Sequence, residues 1–155
     1  MIRVAAISII SVVLVACDPA DVTQLMTQEK DKAEVKRQLS PEQLARGAVL
    51  YKDNCASCHG DEGQGAANWQ KRDKDGKFPP PPLNGLGHTW HHPTAALKYT
   101  INHGTGKLGG NMPAFRGKLT DQQIDDILVF IQEKWPMPIY EAWYRTDQMA
   151  RNTSQ

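Results

Sequence analysis

The stretch Cys55-Ala56-Ser57-Cys58-His59 spells C-x-x-C-H, the pattern by which a haem is attached covalently to a protein. Two thiols at this spacing on a beginning helix lie on one side, so each can add to one vinyl group of a porphyrin. The imidazole of His59 follows directly and has little freedom except to face the iron. The stretch therefore predicts one haem c, attached through Cys55 and Cys58 and ligated by His59.

A redox dithiol or half of a structural zinc site would use the same pair of cysteines. A four-ligand zinc site needs a second pair of ligands, but the remaining cysteine, Cys17, lies at the end of an apolar leader. A dithiol of the thioredoxin kind follows a strand, whereas the residues before Cys55 indicate a helix. Neither alternative explains His59, so we favour the haem.

Composition limits the architecture and the class of partner. A chain of 155 residues with 10 prolines and 12 glycines allows one compact domain plus extensions, and its strand signal is almost absent. We expect an all-α fold. The 18 basic and 17 acidic residues nearly balance, so no nucleic-acid surface is indicated.

Residues 1–16 have the form of a signal peptide of the lipoprotein type. The apolar run Val4–Val15 is too short to span a bilayer, and it leads into the letters LVAC at 14–17, which resemble a bacterial lipobox. Cys17 would then be the lipidated N-terminus, and the charged residues 17–39 a tether. The alternatives are an ordinary cleaved signal peptide or an uncleaved anchor. Lipidation would place the haem on the periplasmic side of the cytoplasmic membrane.

Residues 40–135 carry the helices of the predicted haem domain. Ser40 and Thr120 each begin a capping box, with a glutamine three residues later, at the starts of the first and last helices. Pro136 is expected to stop the last helix after Trp135. A further helix is predicted from Pro93 to Gly104. The apolar positions at helical spacing are Leu44, Gly47, Ala48 and Tyr51 in the first helix, Leu97 and Ile101 in the middle one, and Ile124, Ile127, Leu128, Ile131 and Trp135 in the last.

Over residues 40–135 the chain resembles the class I cytochrome c family of small single-haem proteins. Besides the attachment motif, the resemblance rests on Gly47 and Tyr51, on Pro81-Pro82-Leu83-Asn84-Gly85, on Asn111-Met112-Pro113-Ala114-Phe115, and on a last helix containing Phe130. It implies the class I cytochrome c fold, in which helices wrap around one covalent haem c, and a function in electron transfer.

The resemblance also implies roles for particular residues. The carbonyl of Pro81 would accept a hydrogen bond from His59, and Met112 would be the second axial ligand. Leu83 and Trp90 would contact the cofactor, with the Trp90 indole donating to a haem propionate. Met112 as a simple core residue, and Trp90 as a simple packing residue, are the alternatives.

The predicted function is electron transfer between a redox donor and acceptor such as a respiratory complex or oxidase, without enzymatic activity of its own. Two alternatives stay open: a haem subunit of a larger oxidase or dehydrogenase, and a ligand-binding sensor or peroxidase with an open sixth position. A second axial histidine or a copper site would have to use His88, His91, His92 or His103, and we expect iron alone.

Residues 136–155 lie beyond the family resemblance. Tyr140, Trp143 and Tyr144 follow near-helical spacing, so we expect a helix that packs back on the domain. The alternative is an element that docks a partner protein, because tyrosine and tryptophan often anchor interfaces.

Overall fold

The computed structural model describes residues 35–37 and 39–153, and its regular elements are helices. They are α1 (Pro41–Asn54), α2 (Ala56–His59), α3 (Thr94–His103), α4 (Asp121–Glu133) and α5 (Met137–Thr153), with single 3-10 turns at Thr89–His91 and Gly106–Leu108. Within this part of the chain, β-type pairing is limited to two isolated bridges. The all-α prediction is confirmed. The predicted leader, Cys17 and the tether up to residue 34 lie outside the described residues.

The helix starts follow the capping residues of the sequence. The Ser40 hydroxyl accepts the Gln43 N–H at 3.3 Å, with Pro41 at the first helical position of α1. Thr120 and Gln123 form both halves of a capping box at the start of α4, at 3.2 and 2.9 Å. Both helices therefore begin where the sequence predicts.

The end of α4 differs from the sequence prediction. The α-helix ends at Glu133, and the N–H of Trp135 instead donates to the Gln132 carbonyl, three residues back, at 3.2 Å. Such tighter bonds often close a last helical turn. Trp135 therefore lies beyond the end of the α-helix. Its indole N–H donates to the Leu83 carbonyl at 2.7 Å.

Helices α1 and α4 pack closely at Gly47. A Cβ on Gly47 would lie 2.1 Å from the Asp126 carbonyl oxygen and 3.0 Å from the Phe130 Cβ, so glycine is required for this approach. One turn further along, the Tyr51 and Phe130 rings lie 5.1 Å apart between centroids. The glycine contact therefore sets the spacing of the two helices, and the aromatic pair fills the space beside it.

The buried apolar side chains form two clusters. The first joins α1, the end of α4 and α5 through Tyr51, Ile127, Ile131, Trp135, Tyr140 and Trp143. The second joins α3 to α4 through Leu97, Ile124 and Leu128, with Ile101 and Leu119 packed against it. Lys98 and Asp125 add an ion pair between the same two helices at 2.9 Å.

Helix α5 packs on the domain. Tyr140 and Trp143 are each 6% exposed, and the Trp143 ring meets the Trp135 ring at 5.7 Å. The buried Asp147 carboxylate accepts the N–H of Thr94, the first residue of α3, at 2.7 Å. The Arg37 guanidinium, which precedes α1, lies 4.8 Å from the centre of the Tyr140 ring and donates to the Glu133 carbonyl. In the described residues, no helix has both the length and the apolar character to cross a membrane.

Replacing Gly47 by alanine is expected to lower the free energy of unfolding of the haem-loaded protein. Overpacking should outweigh the roughly 1 kcal/mol that alanine gains in helix propensity, for a net loss of about 2 kcal/mol. Denaturant titration followed by circular dichroism measures it. Gly106→Ala is the matched control, because nothing lies within 4 Å of a Cβ there. Equal behaviour of the two variants would contradict the packing argument.

Acid should destabilise the α1–α4 contact by protonating Asp126. The Asp126 side chain is 2% exposed, and its carboxylate accepts a hydrogen bond from Arg46 Nε at 2.7 Å. The hydrogen bonds from Arg46, and secondarily Gln122, hold the Asp126 pKa below its usual value although burial opposes them. The ionised form is therefore favoured in the folded state. This stabilisation is present above the unfolded pKa of about 4 and is lost as pH falls through the lower folded pKa.

Asp126→Asn should accordingly be less stable than the wild type at neutral pH, with the difference narrowing below about pH 4. Denaturant titrations across that range measure the difference. The exposed Asp53→Asn serves as the control and should follow the wild type. A difference between Asp126→Asn and wild type that stays constant down to pH 2 would refute the linkage.

Candidate functional site

The attachment turn (residues 55–59) continues from α1 with almost no break. The Cys55 N–H donates to the Tyr51 carbonyl at 2.8 Å, and the His59 N–H donates to the Cys55 carbonyl at 2.9 Å. These two hydrogen bonds link α1 to α2, although Cys55 between the helices has non-helical backbone angles, with φ −121° and ψ −39°. Cys55 is half-buried and Cys58 exposed. Burial, followed by the neighbouring Cys58, raises the pKa of the Cys55 thiol to about 11.

His59 is 8% exposed, and its ring is held from one side. Its Nδ1 lies 2.9 Å from the Pro81 carbonyl oxygen, which has only lone pairs to offer, so Nδ1 carries the proton and donates. No hydrogen bond among the described residues engages Nε2. Burial lowers the His59 pKa below its usual value, with the Pro81 bond opposing. The ring is therefore neutral at neutral pH, and its Nε2 lone pair is available to a metal.

The loop after the attachment turn brings Pro81 to His59. The Gly65 N–H donates to the His59 carbonyl at 2.7 Å, and the Leu83 N–H donates to the Gly63 carbonyl at 2.7 Å. Gly65 has a φ of +63°, and a Cβ there would lie 2.4 Å from the Pro82 nitrogen. Glycine is thus required twice over at this position, by its backbone angle and by the proline chain passing against it.

Tyr51 secures the end of the attachment turn. Its hydroxyl donates to the Gly60 carbonyl at 2.8 Å, and its side chain is 1% exposed. Burial raises the pKa of Tyr51, so the hydroxyl stays protonated and able to donate. The sequence indicates Tyr51 only as a core residue, and its spacing gives no sign of this second role.

Met112 lies in the methionine loop (residues 105–113), which follows α3. Gly104 ends α3 with a φ of +70°, and a Cβ there would lie 2.5 Å from the Met112 carbonyl oxygen. Beyond the loop, the Phe115 N–H donates to the Ile101 carbonyl at 3.0 Å. The loop therefore starts directly after α3 and is followed by a residue that is bonded back to the last turn of α3; Met112 within it is half-buried.

Leu83 and Trp90 are partly buried beside the first core cluster. The Trp90 indole N–H donates to the Gly87 carbonyl at 3.0 Å, and its ring stacks on His91 at 3.7 Å. Bonding to a haem propionate would require this N–H to be shared or to change partner, so that role stays a prediction. The Leu83 carbonyl accepts the Trp135 indole N–H, and contact between the Leu83 side chain and a cofactor stays a prediction.

The remaining histidines are arranged by ring contacts. His88 stacks on Trp69 at 5.4 Å and meets the edge of His92 at 5.6 Å, while the His103 Nδ1 lies 2.9 Å from the Tyr99 carbonyl oxygen. Burial, with the neighbouring His92 and His91, lowers the His88 pKa. The described residues contain no group of three or more His, Cys, Asp or Glu side chains placed to hold a metal ion.

The donor set fits a covalent haem. Two cysteines are available for thioether formation, and a neutral, buried histidine follows with its ring fixed by a carbonyl and Nε2 uncommitted. A carbonyl that accepts the other ring N–H fixes the tautomer of a metal-ligating histidine and increases its basicity. The sequence does not single out Thr105, whose hydroxyl accepts the Met112 N–H at 3.1 Å, because this contact depends on how the loop folds back.

Comparison with known proteins agrees with this chemistry. Residues 42–131 match the family model described as cytochrome c oxidase, cbb3-type, subunit III. The chain is 32% identical to cytochrome c6 of Synechococcus elongatus over 91 residues, which are 59% of this chain and 90% of that protein. No solved structure gives a significant match.

Larger redox proteins contain a similar stretch. The cbb3-type cytochrome c oxidase subunit CcoP of Azospirillum sp. (strain B510) is 34% identical over 88 residues, 57% of this chain but 27% of that protein. The 1-butanol dehydrogenase (cytochrome c) of Thauera butanivorans is 35% identical over 92 residues, 59% of this chain and 11% of that protein. The attachment turn, its histidine partner and these matches together place the chain in the class I cytochrome c family, as a single-haem member whose haem c is held by Cys55 and Cys58.

Proposed function

We propose that this cytochrome carries electrons with a six-coordinate haem c, ligated by His59 and Met112, while tethered through a lipidated Cys17 to the periplasmic face of the cytoplasmic membrane. A donor and an acceptor of the respiratory chain would dock in turn. Electron transfer is the function of the cytochrome c family. We propose in addition the ligand pair, the tether and the compartment.

The observation that carries the ligand assignment is the position of Met112. It is the half-buried methionine of a loop that starts directly after α3 and is followed by Phe115, which bonds back to α3, whereas Met137 and Met149 are 40% and 62% exposed on α5. A haem with a thioether and an imidazole ligand changes between ferric and ferrous states without opening a coordination position, and the thioether raises its potential. That chemistry suits a carrier better than a site for small ligands.

The residues around His59 support the same function. The Pro81 bond and the burial of the ring keep the imidazole in one orientation in both oxidation states, which lowers the rearrangement that accompanies electron transfer. Because His59 is 8% exposed, water has little access to this residue. The protein thus supplies an imidazole ligand that is fixed in orientation and shielded from water. Reduction of the iron then requires no proton transfer from His59.

The membrane tether rests on the sequence of the leader. Cys17 directly follows an apolar run too short to span a bilayer, in a lipobox-like context. Residues between Cys17 and α1 provide the length for the haem domain to reach more than one partner.

A second candidate function is that of a fixed haem subunit in a larger oxidase or dehydrogenase. It is favoured by the similarity to part of an oxidase subunit and part of an alcohol dehydrogenase. Solubilising membranes in mild detergent separates the two: a stable association with catalytic subunits favours the subunit, and recovery as a lone haem protein favours the carrier.

Met112→Ala tests the sixth ligand. The ferric wild type is expected to show the weak red absorption band of sulfur-to-iron charge transfer, and the variant should lack it and bind carbon monoxide when reduced. Met149→Ala, the same change at an exposed position, is the control and should keep the band. A wild type that lacks the band and binds carbon monoxide readily would instead support the sensor or peroxidase alternative.

Cys17→Ser tests the tether. The wild type should stay with the membrane fraction through a high-salt wash, and mass spectrometry should find an acylated N-terminal Cys17. The variant should carry no acyl chain and should keep its leader uncleaved, because cleavage of this type follows acylation of the cysteine, while its haem spectrum stays unchanged. An unmodified Cys17 thiol in the native protein would overturn the lipid anchor.

A further inference from the structure

Every polar group of Thr105 bonds to the methionine loop. Its N–H donates to the Met112 carbonyl at 3.1 Å, and its hydroxyl oxygen accepts the Met112 N–H at 3.1 Å. Its carbonyl accepts the N–H groups of Leu108 and Gly110 at 2.9 and 3.0 Å. One residue thus closes the loop on itself, and two of the four bonds end on the backbone of Met112.

The space around Thr105 allows little change. A Cβ on Gly110 would lie 2.3 Å from the Thr105 hydroxyl oxygen, so the loop passes directly against this side chain. On the other side, the Gly104 backbone packs against the Met112 carbonyl. The Met112 N–H is part-buried, and the hydroxyl is its hydrogen-bond acceptor. Without that oxygen, this donor would lose its partner while the loop stays closed.

A second contact holds the loop from outside. The Phe78 N–H donates to the Gly109 carbonyl at 3.0 Å, and the Arg72 guanidinium lies 4.2 Å from the centre of the Phe78 ring. Arg72 also donates to the Gly76 carbonyl at 2.7 Å, which keeps it over the ring. The methionine loop is therefore bonded internally by Thr105 and externally at Gly109.

We propose that Thr105 is a positioning residue for the axial methionine: its hydroxyl holds the Met112 backbone so that the sulfur stays on the iron. This inference rests on the proposed His59 and Met112 ligation. In the proposed mechanism Met112 leaves the iron when the loop opens, and opening breaks the two bonds between Thr105 and Met112. The hydroxyl would then contribute to the fraction of molecules in which the sixth position is free.

Exogenous imidazole measures that fraction, because its apparent affinity for the ferric haem is proportional to the population of the open form. In Thr105→Val the hydroxyl is replaced by a methyl group of similar size, leaving the Met112 N–H unpaired in the closed loop. Losing such a bond corresponds to about a tenfold larger open population, so imidazole should bind about tenfold tighter. The red charge-transfer band should disappear at correspondingly lower imidazole concentration.

Two variants separate positioning from general loss of stability. Thr105→Ser keeps the hydroxyl and should restore the wild-type imidazole affinity. Thr100→Val makes the same chemical change in α3, where the Thr100 hydroxyl donates to the Ala96 carbonyl at 3.0 Å, within the helix. It should leave imidazole affinity unchanged even if it lowers the melting temperature.

Each outcome bears on one hypothesis. A wild type without the red band removes the ligand assignment itself. A wild type with the band, but a Thr105→Val variant whose imidazole affinity matches wild type and Thr105→Ser, overturns the positioning role alone. Equal gains in affinity for Thr105→Val and Thr100→Val would also overturn it, because loss of stability would then explain the effect.

The wild type supplies a test that does not depend on any variant folding. In the reduced haem protein, amide hydrogen exchange followed by NMR should show the Met112 N–H strongly protected, as a bonded group in a closed loop. The exposed and neighbouring Asn111 amide serves as the comparison. If the Met112 amide exchanges as fast as that of Asn111, the hydroxyl does not hold the loop closed, and the proposal is wrong.

Discussion

The hydrogen bond between His59 Nδ1 and the Pro81 carbonyl joins the two halves of the site. The attachment turn fixes the histidine relative to the cysteines, but it leaves the rotation of the ring undetermined. Pro81, brought in by a loop that folds across Gly63 and Gly65, supplies that last constraint. The rest of the fold serves this contact. Helix α1 delivers the turn, α4 packs against α1 at Gly47, and Trp135 at the end of α4 bonds to the Leu83 carbonyl two residues beyond Pro81.

Local features of the sequence account for most of this framework. The caps at Ser40 and Thr120 mark where helices begin, because a side chain that satisfies a free N–H acts within three residues. Gly47 follows from its unusual place within a helical apolar face. The apolar spacing predicts that α4 ends at Trp135, two residues beyond its observed end at Glu133, because the Trp135 side chain stays buried although its backbone is no longer α-helical. The spacing of apolar residues therefore indicates which residues are buried more reliably than it indicates where a helix ends.

Contacts between residues far apart in the chain could not be predicted from the sequence. The bond from Asp147 to the Thr94 N–H joins residues in α5 and α3, and no spacing rule connects them. The core is also completed from outside the family match: residues 42–131 match, yet Trp135, Tyr140 and Trp143 complete the first cluster. Predicting α5 as a packed helix required only its own aromatic spacing, while its exact partners required the fold.

The run of four prolines at 79–82 has a physical explanation in this arrangement. Proline has no N–H, so a proline run offers hydrogen-bond acceptors and leaves no donor unsatisfied. Three successive carbonyls are used: Pro80 accepts the Ala66 N–H at 2.9 Å, Pro81 faces His59, and Pro82 lies 3.5 Å from the Thr89 hydroxyl. Fixed φ angles keep these acceptors in place at little further entropic cost. Because Phe78, directly before the run, bonds to Gly109 of the methionine loop, one short and stiff segment connects the histidine side of the site to the methionine side.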